Sequence, residues 1–181
     1  ALWIFVVSKT MDTIDGLDGL AAGVSAIAAL TLALMALQAA DLLDQPYPNW
    51  LIAITAAAIA GAAGGFLRYN FNPARIFMGT GGAQFLGFML GGLSVIGAFK
   101  TATAFAIAIP VLVFGLPFLD AALAVVRRLL KGQPIHKPDK QHIHHQLLAR
   151  GLNQRQTVLI LYGIAAAMAV VALILFRKAM G

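Results

Sequence analysis

The chain has 181 residues, of which 60% are hydrophobic and 11% are charged, and its formal net charge is +6. Soluble domains carry roughly 25% charged residues, so this composition excludes an ordinary soluble domain and indicates an integral membrane protein. There is no Cys, which excludes a disulfide framework and a thiolate metal site. The positive charge fits basic loops that face anionic lipid headgroups, and we expect no nucleic-acid partner.

Six apolar segments predict membrane helices. The first, Ala1–Ser8, is too short to span a bilayer, and we interpret it as the end of a helix that begins before this sequence. Five uncharged stretches follow, each near the roughly 20 residues that cross the hydrocarbon core as a helix: Leu20–Ala40, Trp50–Phe66, Gly82–Phe99, Thr101–Leu119 and Thr157–Phe176. The sequence predicts an all-α fold, a polytopic transmembrane helical bundle. We expect one domain over residues 1–181 that is the C-terminal portion of a longer domain.

Basic residues predict the orientation of these segments. If the first segment ends in the cytoplasm at Lys9, ten of the thirteen Lys and Arg residues fall in cytoplasmic loops. The same orientation places the polar segments Lys9–Gly19, Arg68–Gly81 and Arg127–Gln156 on that side. We therefore expect any chemistry at the cytoplasmic face of the membrane.

Some residues within the spans have a structural interpretation. Two pairs of glycines four residues apart, Gly61 with Gly65 and Gly87 with Gly91, are typical of close helix packing in lipid. Pro110 and Pro117 should bend or interrupt the helix that contains them.

The first polar segment carries three carboxylates, Asp12, Asp15 and Asp18, spaced every third residue. On one helix they would lie on one side within roughly 120°, and they would repel each other unless a cation is present. A hard cation such as Mg²⁺, which binds carboxylates together with substrate phosphates, would relieve that repulsion. The alternative is a turn in which Asp18 alone caps the helix that begins at Leu20.

The other two polar segments favour anionic ligands. Asn70 could hold a base or a sugar and Arg75 a phosphate, although arginine at a membrane boundary is often only an interfacial anchor. The third segment combines a basic pair with a histidine cluster. Its histidines could bind metal, hold phosphate, transfer protons or belong to a solvated loop, and the sequence leaves these alternatives open. These candidate residues are Arg127, Arg128, His142, His144 and His145.

Three motifs resemble one enzyme family. Residues 15–23 read DGLDGLAAG, residues 70–79 read NFNPARIFMG, and residues 138–148 read PDKQHIHHQLL. In this order they resemble the motifs of the polyprenyl-phosphate N-acetylhexosamine-1-phosphate transferases, which start bacterial wall-polymer synthesis (teichoic acid) and O-antigen synthesis (lipopolysaccharide).

The resemblance implies a reaction and its participants. An N-acetylhexosamine 1-phosphate, by default GlcNAc 1-phosphate, would pass from a UDP-sugar to undecaprenyl phosphate with Mg²⁺ and release of UMP. The enzyme would lie in the bacterial inner membrane, with a homodimer as a further expectation. Asp12, Asp15 and Asp18 would be catalytic, and the metal would lie at Asp15, Asp12 and Thr80. The implied substrate-binding residues are Lys9, Asn70, Arg75, Arg127, Arg128, His142, His144 and His145.

Departures from the family pattern raise a question about activity. The family has a metal-binding Asp where this chain has Thr80, and a pair of Asn where this chain has Lys9 and Asp12. One hypothesis is that Asp12 replaces the lost carboxylate while Lys9 adds positive charge beside the phosphates. The alternative is a degenerate member that binds nucleotide sugar or lipid phosphate without turnover. A transporter is disfavoured because the spans are uncharged.

Overall fold

The computed structural model describes residues 1–42, 46–98, 110–130, 132 and 142–180. This part of the chain is helical and contains no β-strand. In chain order the helices are α1 (Leu2–Ile14), α2 (Leu20–Leu42), α3 (Pro46–Asn70), α4 (Gly79–Ala98), α5 (Gly115–Leu130), α6 (Ile143–Ala149) and α7 (Gln154–Met180).

Four of the described helices are long and apolar enough to cross a membrane: Leu20–Ala40, Asn49–Asn70, Gly79–Gly97 and Gln154–Ala179. They correspond to four of the predicted segments, so the all-α polytopic membrane fold is confirmed. The helices extend beyond the predicted bounds at their polar ends. A helix satisfies its own backbone hydrogen bonds, and it can therefore continue past the apolar residues into the headgroup region.

Two predicted segments have different bounds in the structure. The segment that was expected to end at Ser8 continues to Ile14, so Lys9 and Asp12 lie on helix α1. For the predicted span Thr101–Leu119, residues 101–109 are outside the described part. The rest of that span does not end at residue 119, because α5 continues to Leu130.

The predicted effect of Pro117 is present. The backbone N–H of Phe114 donates to Pro110 at 3.1 Å, and that of Phe118 donates to Phe114 at 3.0 Å. Pro117 has no N–H to donate to Val113, and the regular helix is interrupted at Phe114 before α5 begins. Pro117 is tolerated because it lies in the first turn of α5, where backbone N–H groups lack helical partners.

Helix α2 lies at the centre and packs against α3, α4 and α7, while α1 packs against α4 and α5. The α1–α4 contact uses one of the glycine pairs. A Cβ atom on Gly87 would lie 2.6 Å from the Cα of Ser8, and one on Gly91 would lie 3.2 Å from Val7. This pair therefore packs as predicted. The other pair, Gly61 and Gly65, has no described atom within 4 Å of its Cβ positions, so the described chain gives it no packing role.

The three polar segments meet at one end of the bundle. The backbone N–H of Gly19 donates to Asn70 across 3.1 Å, and the side chain of Asn72 donates to Gln154 across 2.8 Å. These contacts join the ends of α1 and α3 to the start of α7. The expectation that this end faces the cytoplasm stays a prediction.

Candidate active site at one end of the bundle

The three aspartates lie on a helix end and the turn after it. Helix α1 ends at Ile14, and Asp15 forms its C-cap, with a backbone N–H that donates to the carbonyl of Asp12 at 3.3 Å. The turn closes at Gly19, whose φ of +83° favours glycine. The interpretation in which the three aspartates share one side of a helix is therefore wrong, because the helix ends at Ile14, before Asp15 and Asp18.

Asp12 lies in a polar cluster between α1 and α4. Lys9 Nζ donates to Oδ2 of Asp12 at 2.7 Å, and Gln84 Nε2 donates to the same oxygen at 3.2 Å. Partial burial acts to raise the pKa of Asp12, but the hydrogen bonds and charge of Lys9 and the hydrogen bonds from Gln84 and Thr80 outweigh it and lower the pKa. Asp12 is therefore a carboxylate near Thr80, the position where the family has its metal-binding Asp.

An acidic cavity of about 300 Å³ lies beside this cluster. Burial, with a smaller contribution from the charge of Asp12, raises the pKa of Asp15. Within the described residues the carboxylate of Asp15 has no hydrogen-bond partner, so it is available to a ligand. We call this space the acidic cavity; it is lined by Asp15, Gly16, Leu17, Asp18, Asn70, Phe77, Met78 and Gly79.

Asp18 connects the turn to the loop after α3. Its Oδ2 accepts hydrogen bonds from the Asn72 side chain at 3.0 Å and from the Ala74 backbone N–H at 3.1 Å. Neither bond goes to the start of α2, so the described contacts do not support the alternative in which Asp18 caps that helix. Asp18 lines the acidic cavity, and one of its oxygens also holds the loop that forms the cavity wall.

Asn70 is buried, and its carboxamide bonds to the backbone on both sides. Its Oδ1 accepts from the N–H of Gly19, and its Nδ2 donates to the carbonyl of Ile76 at 2.9 Å. This side chain therefore holds the first and second polar segments in register at the cavity. A contact of Asn70 with the nucleotide sugar stays a prediction.

The histidine segment reaches the same site through α6. His144 is buried, and its Nε2 would lie 2.6 Å from a Cβ atom on Gly16, so the ring packs directly on the wall of the acidic cavity. Burial, together with the neighbouring His145 and His142, lowers the pKa of His144 to about 4, against an opposing effect of Asp120. His144 is therefore neutral near pH 7. The neighbouring His145 side chain is exposed, unlike that of His144.

Asp120, a buried residue on α5, was not among the predicted site residues. Its Oδ2 lies 2.8 Å from Nδ1 of His142, and its Oδ1 accepts from the backbone N–H of Ile143 at 2.8 Å. These bonds attach the start of α6 to α5. The available signal was a lone acidic residue directly after an apolar run, a placement that is costly unless the group is paired. Gln84 was missed too, although it lies one turn after Thr80 on the same face of α4.

Some predicted residues lie apart from the acidic cavity. Arg75 is exposed and lines a different cavity, described below. Arg127 and Arg128 are half-buried in the last turn of α5 and do not line the acidic cavity. The cluster around it therefore contains Asp12, Asp15, Asp18, Asn70, Thr80 and His144, with Lys9 joined through Asp12.

The donor set fits Mg²⁺ better than zinc. The described residues include no group of three or more His, Asp, Glu or Cys side chains that could hold a metal ion. A structural zinc site needs about four such ligands, whereas Mg²⁺ is often bound by one or two carboxylates together with substrate phosphates. Asp15 and Asp12 supply two carboxylates, and Thr80 supplies a hydroxyl oxygen beside them. These oxygens match Mg²⁺ in chemical type.

The fold and this site define a class of protein: an all-helical membrane protein with an acidic site between helix ends at one side of the bundle. Comparison with known proteins identifies the family. The family model described as Glycosyl transferase family 4 matches residues 1–98, more than half of the chain, and the chain belongs to that family. The resemblance to polyprenyl-phosphate hexosamine-1-phosphate transferases is thereby confirmed.

The chain is similar to several curated bacterial proteins. It is 44% identical over 125 residues to the Bacillus subtilis protein named "Probable undecaprenyl-phosphate N-acetylglucosaminyl 1-phosphate transferase". The aligned region covers 69% of this chain and 35% of that protein. It is 40% identical over 121 residues to the "Decaprenyl-phosphate N-acetylglucosaminephosphotransferase" of Mycobacterium tuberculosis, covering 61% and 30%. It is 36% identical over 122 residues to the "Phospho-N-acetylmuramoyl-pentapeptide-transferase" of Moorella thermoacetica, covering 66% and 36%. The chain thus spans about a third of the length of these relatives.

Proposed function

We propose that the intact protein transfers GlcNAc 1-phosphate, or another N-acetylhexosamine 1-phosphate, from a UDP-sugar to undecaprenyl phosphate. This reaction would be the first membrane step of a cell-envelope polysaccharide and would take place at the cytoplasmic face. The names of the relatives support the substrate class. The observation that carries the proposal is the acidic cavity, in which the unpaired Asp15 carboxylate lies beside Asp18 at the ends of membrane helices.

The position of the cavity suits a reaction between a lipid and a soluble nucleotide. An oxygen of the polyprenyl phosphate would form a bond to the β-phosphorus of the UDP-sugar. The bond from that phosphorus to the bridging oxygen would break, and UMP would leave with the oxygen. Since charge gathers on phosphoryl oxygens in such reactions, positioning and electrostatic stabilisation supply most of the catalysis.

Each residue of the site has a proposed part. Asp15 and Asp12, with the Thr80 hydroxyl, would hold Mg²⁺, which would neutralise charge on the diphosphate when bound. Asp18 and Asn70 would keep the cavity open by fixing the turn against the loop after α3. The arginine pair of α5 and the histidines of the α6 segment remain candidates for contacts with the phosphates or the sugar.

The Asp12–Thr80 contact favours a rebuilt metal site. In the family pattern the carboxylate belongs to the α4 position and an amide to the α1 position. This chain has a hydroxyl at Thr80 and a carboxylate at Asp12, and Thr80 lies close enough to contribute to the lowered pKa of Asp12. The α1–α4 contact therefore keeps one carboxylate, but α1 supplies it instead of α4.

A degenerate, binding-only protein is the second candidate, and a specific contact favours it. Lys9 is ion paired with Asp12 at 2.7 Å, so an ammonium group already balances the negative charge of the carboxylate that would bind the metal. In this alternative Lys9 substitutes for the cation, and the site binds a nucleotide sugar or lipid phosphate without turnover.

The test is UMP release from UDP-GlcNAc by the intact protein with polyprenyl phosphate and Mg²⁺. The wild type is compared with Asp12→Asn, with Thr80→Asp, and with the double variant, which returns the carboxylate to its family position. We expect Asp12→Asn to lose about 10²-fold in kcat, as for loss of one preorganised electrostatic group. The double variant should recover most of that loss, because the two substitutions exchange one function between two contacting residues.

Other results would separate the candidates. Full activity of Asp12→Asn would show that Asp12 does not replace the missing carboxylate. An inactive wild type together with an active Thr80→Asp variant would mark a natural loss of catalysis. If the wild type and all three variants are inactive while UDP-GlcNAc still binds to the wild type, the binding-only function is correct.

A further inference from the structure

Two arginines line a second cavity, outside the acidic one. This cavity, which we call the basic cavity, has a volume of about 590 Å³. It lies where the candidate span Asn49–Asn70 ends, at the level where lipid headgroups meet a membrane protein. Its walls combine two guanidinium groups with aromatic and aliphatic side chains: Leu67, Arg68, Tyr69, Phe71, Pro73 and Arg75.

The positive charge of the basic cavity is not neutralised by the described part of the chain. There, neither Arg68 nor Arg75 forms a side-chain hydrogen bond or an ion pair. The acidic residue that contacts this loop is Asp18, and its hydrogen bonds go to Asn72 and Ala74 instead. Arg155 adds a third positive charge to the same loop through a 2.9 Å bond from its Nε to the carbonyl of Asn72.

The basic cavity is separate from the candidate active site. None of its six lining residues belongs to the eight that line the acidic cavity. Asn70 faces the acidic cavity, whereas its neighbours Tyr69 and Phe71 line the basic one, so the end of α3 divides the two. A ligand of the basic cavity therefore does not have to be a substrate of the reaction.

We propose that the basic cavity binds the phosphate headgroup of an anionic membrane phospholipid. A planar guanidinium matches phosphate oxygens in two-pronged hydrogen bonds, and two of them line this cavity. Leu67 and Phe71 supply apolar surface for the glycerol and upper acyl carbons, and Tyr69 is a residue type enriched at membrane interfaces. The phospholipid arrives from the bilayer that surrounds this helix end, whereas a free anion would have to compete with it from solution.

The experiment measures binding of short-chain phosphatidylglycerol to the intact protein in a neutral detergent, with phosphatidylcholine of equal chain length as the reference lipid. We expect the variant Arg68→Gln/Arg75→Gln to raise the Kd for phosphatidylglycerol at least about tenfold, since each interfacial base contributes measurably to binding of anionic lipid. The matched control is Arg177→Gln/Lys178→Gln, which removes two positive charges in the last turn of α7. This control should change the Kd less than about twofold.

A second pair of substitutions guards against a folding defect. Arg68→Lys/Arg75→Lys keeps both charges but loses the two-pronged geometry, and its Kd should fall between those of the wild type and the Gln variant. Equal losses in the Gln variant and the α7 control would overturn the proposal in favour of diffuse attraction. Equal affinity of the wild type for the two lipids would also overturn it, as would displacement of phosphatidylglycerol by UDP-GlcNAc or polyprenyl phosphate. Because the readout is lipid binding, its result does not depend on whether the protein turns over.

Discussion

Removal of the Asp120 carboxylate should release α6 from the bundle. Helix α6 has only seven residues, too few to be stable alone, so it depends on tertiary contacts. Asp120 supplies two of them at 2.8 Å each, to the Ile143 N–H and to the His142 ring. Hydrogen bonds to charged groups contribute about 1.5–3 kcal/mol each, so Asp120→Ala should cost about 3–6 kcal/mol of local stability. Asp120→Asn keeps an acceptor for Ile143 and should cost about half as much.

The measurement is hydrogen exchange of the backbone amides of α6 in the intact protein, followed by mass spectrometry. A loss of about 3 kcal/mol corresponds to roughly 10²-fold faster exchange by local opening. The amides of α2 in the same sample are the internal control, since α2 packs mainly against α3, α4 and α7 rather than against α5 or α6. Unchanged protection of α6 in Asp120→Ala would refute the reasoning, and so would equal loss of protection in α2, which would mean global unfolding.

Two further predictions concern packing and pH. Gly87→Ala would force a Cβ to within 2.6 Å of the Ser8 backbone and should destabilise the protein by about 1–3 kcal/mol. Gly92→Ala meets open space and should be neutral or slightly stabilising. Thermal unfolding in detergent distinguishes the two variants. Because the pKa of His144 is about 4 when folded and 6.5 when unfolded, the folded state binds fewer protons between these values, so stability should fall as pH drops from 6.5 to 4. His144→Gln should reduce this slope, measured by denaturant unfolding at pH 7 and pH 5. His145→Gln should reduce it less, because burial lowers the pKa of His144 more than the neighbouring His145 does. A slope unaffected by His144→Gln would contradict the assignment.

The membrane fold could be predicted because its signal is physical and local. Uncharged runs near 20 residues have few stable alternatives to a membrane helix, and four of them match the candidate spans of the structure. The ends were less predictable, because a helix continues for as long as its backbone bonds and side-chain contacts allow. Helix α1 therefore reaches Ile14 although polar residues begin at Ser8, and α5 passes through Pro117 because proline is tolerated in a first turn.

The site could be predicted at the level of segments more than of contacts. The motifs identified Asp15, Asp18 and Asn70, and these residues do line one cavity. They did not predict that the carboxamide of Asn70 forms hydrogen bonds with two backbone groups. Asp120 belongs to no motif, and its pairing with α6 is visible only in three dimensions. Arg75 lies five residues after Asn70, yet sequence distance does not say on which side of a helix end a side chain falls.

The separation of the two cavities bears directly on the need for a cation. If Arg75 lay in the acidic cavity, its guanidinium would pair with Asp15 and lower the pKa of that carboxyl. Instead the pKa of Asp15 is raised, because burial and the charge of Asp12 act on it without a basic partner among the described residues. A diphosphate would be repelled from such a cavity unless a cation entered with it. The proposed use of Mg²⁺ therefore rests on where the arginines are placed as well as on how many carboxylates there are: the fold keeps the positive charge of Arg68 and Arg75 on the other side of α3 and leaves Asp15 to be neutralised from outside.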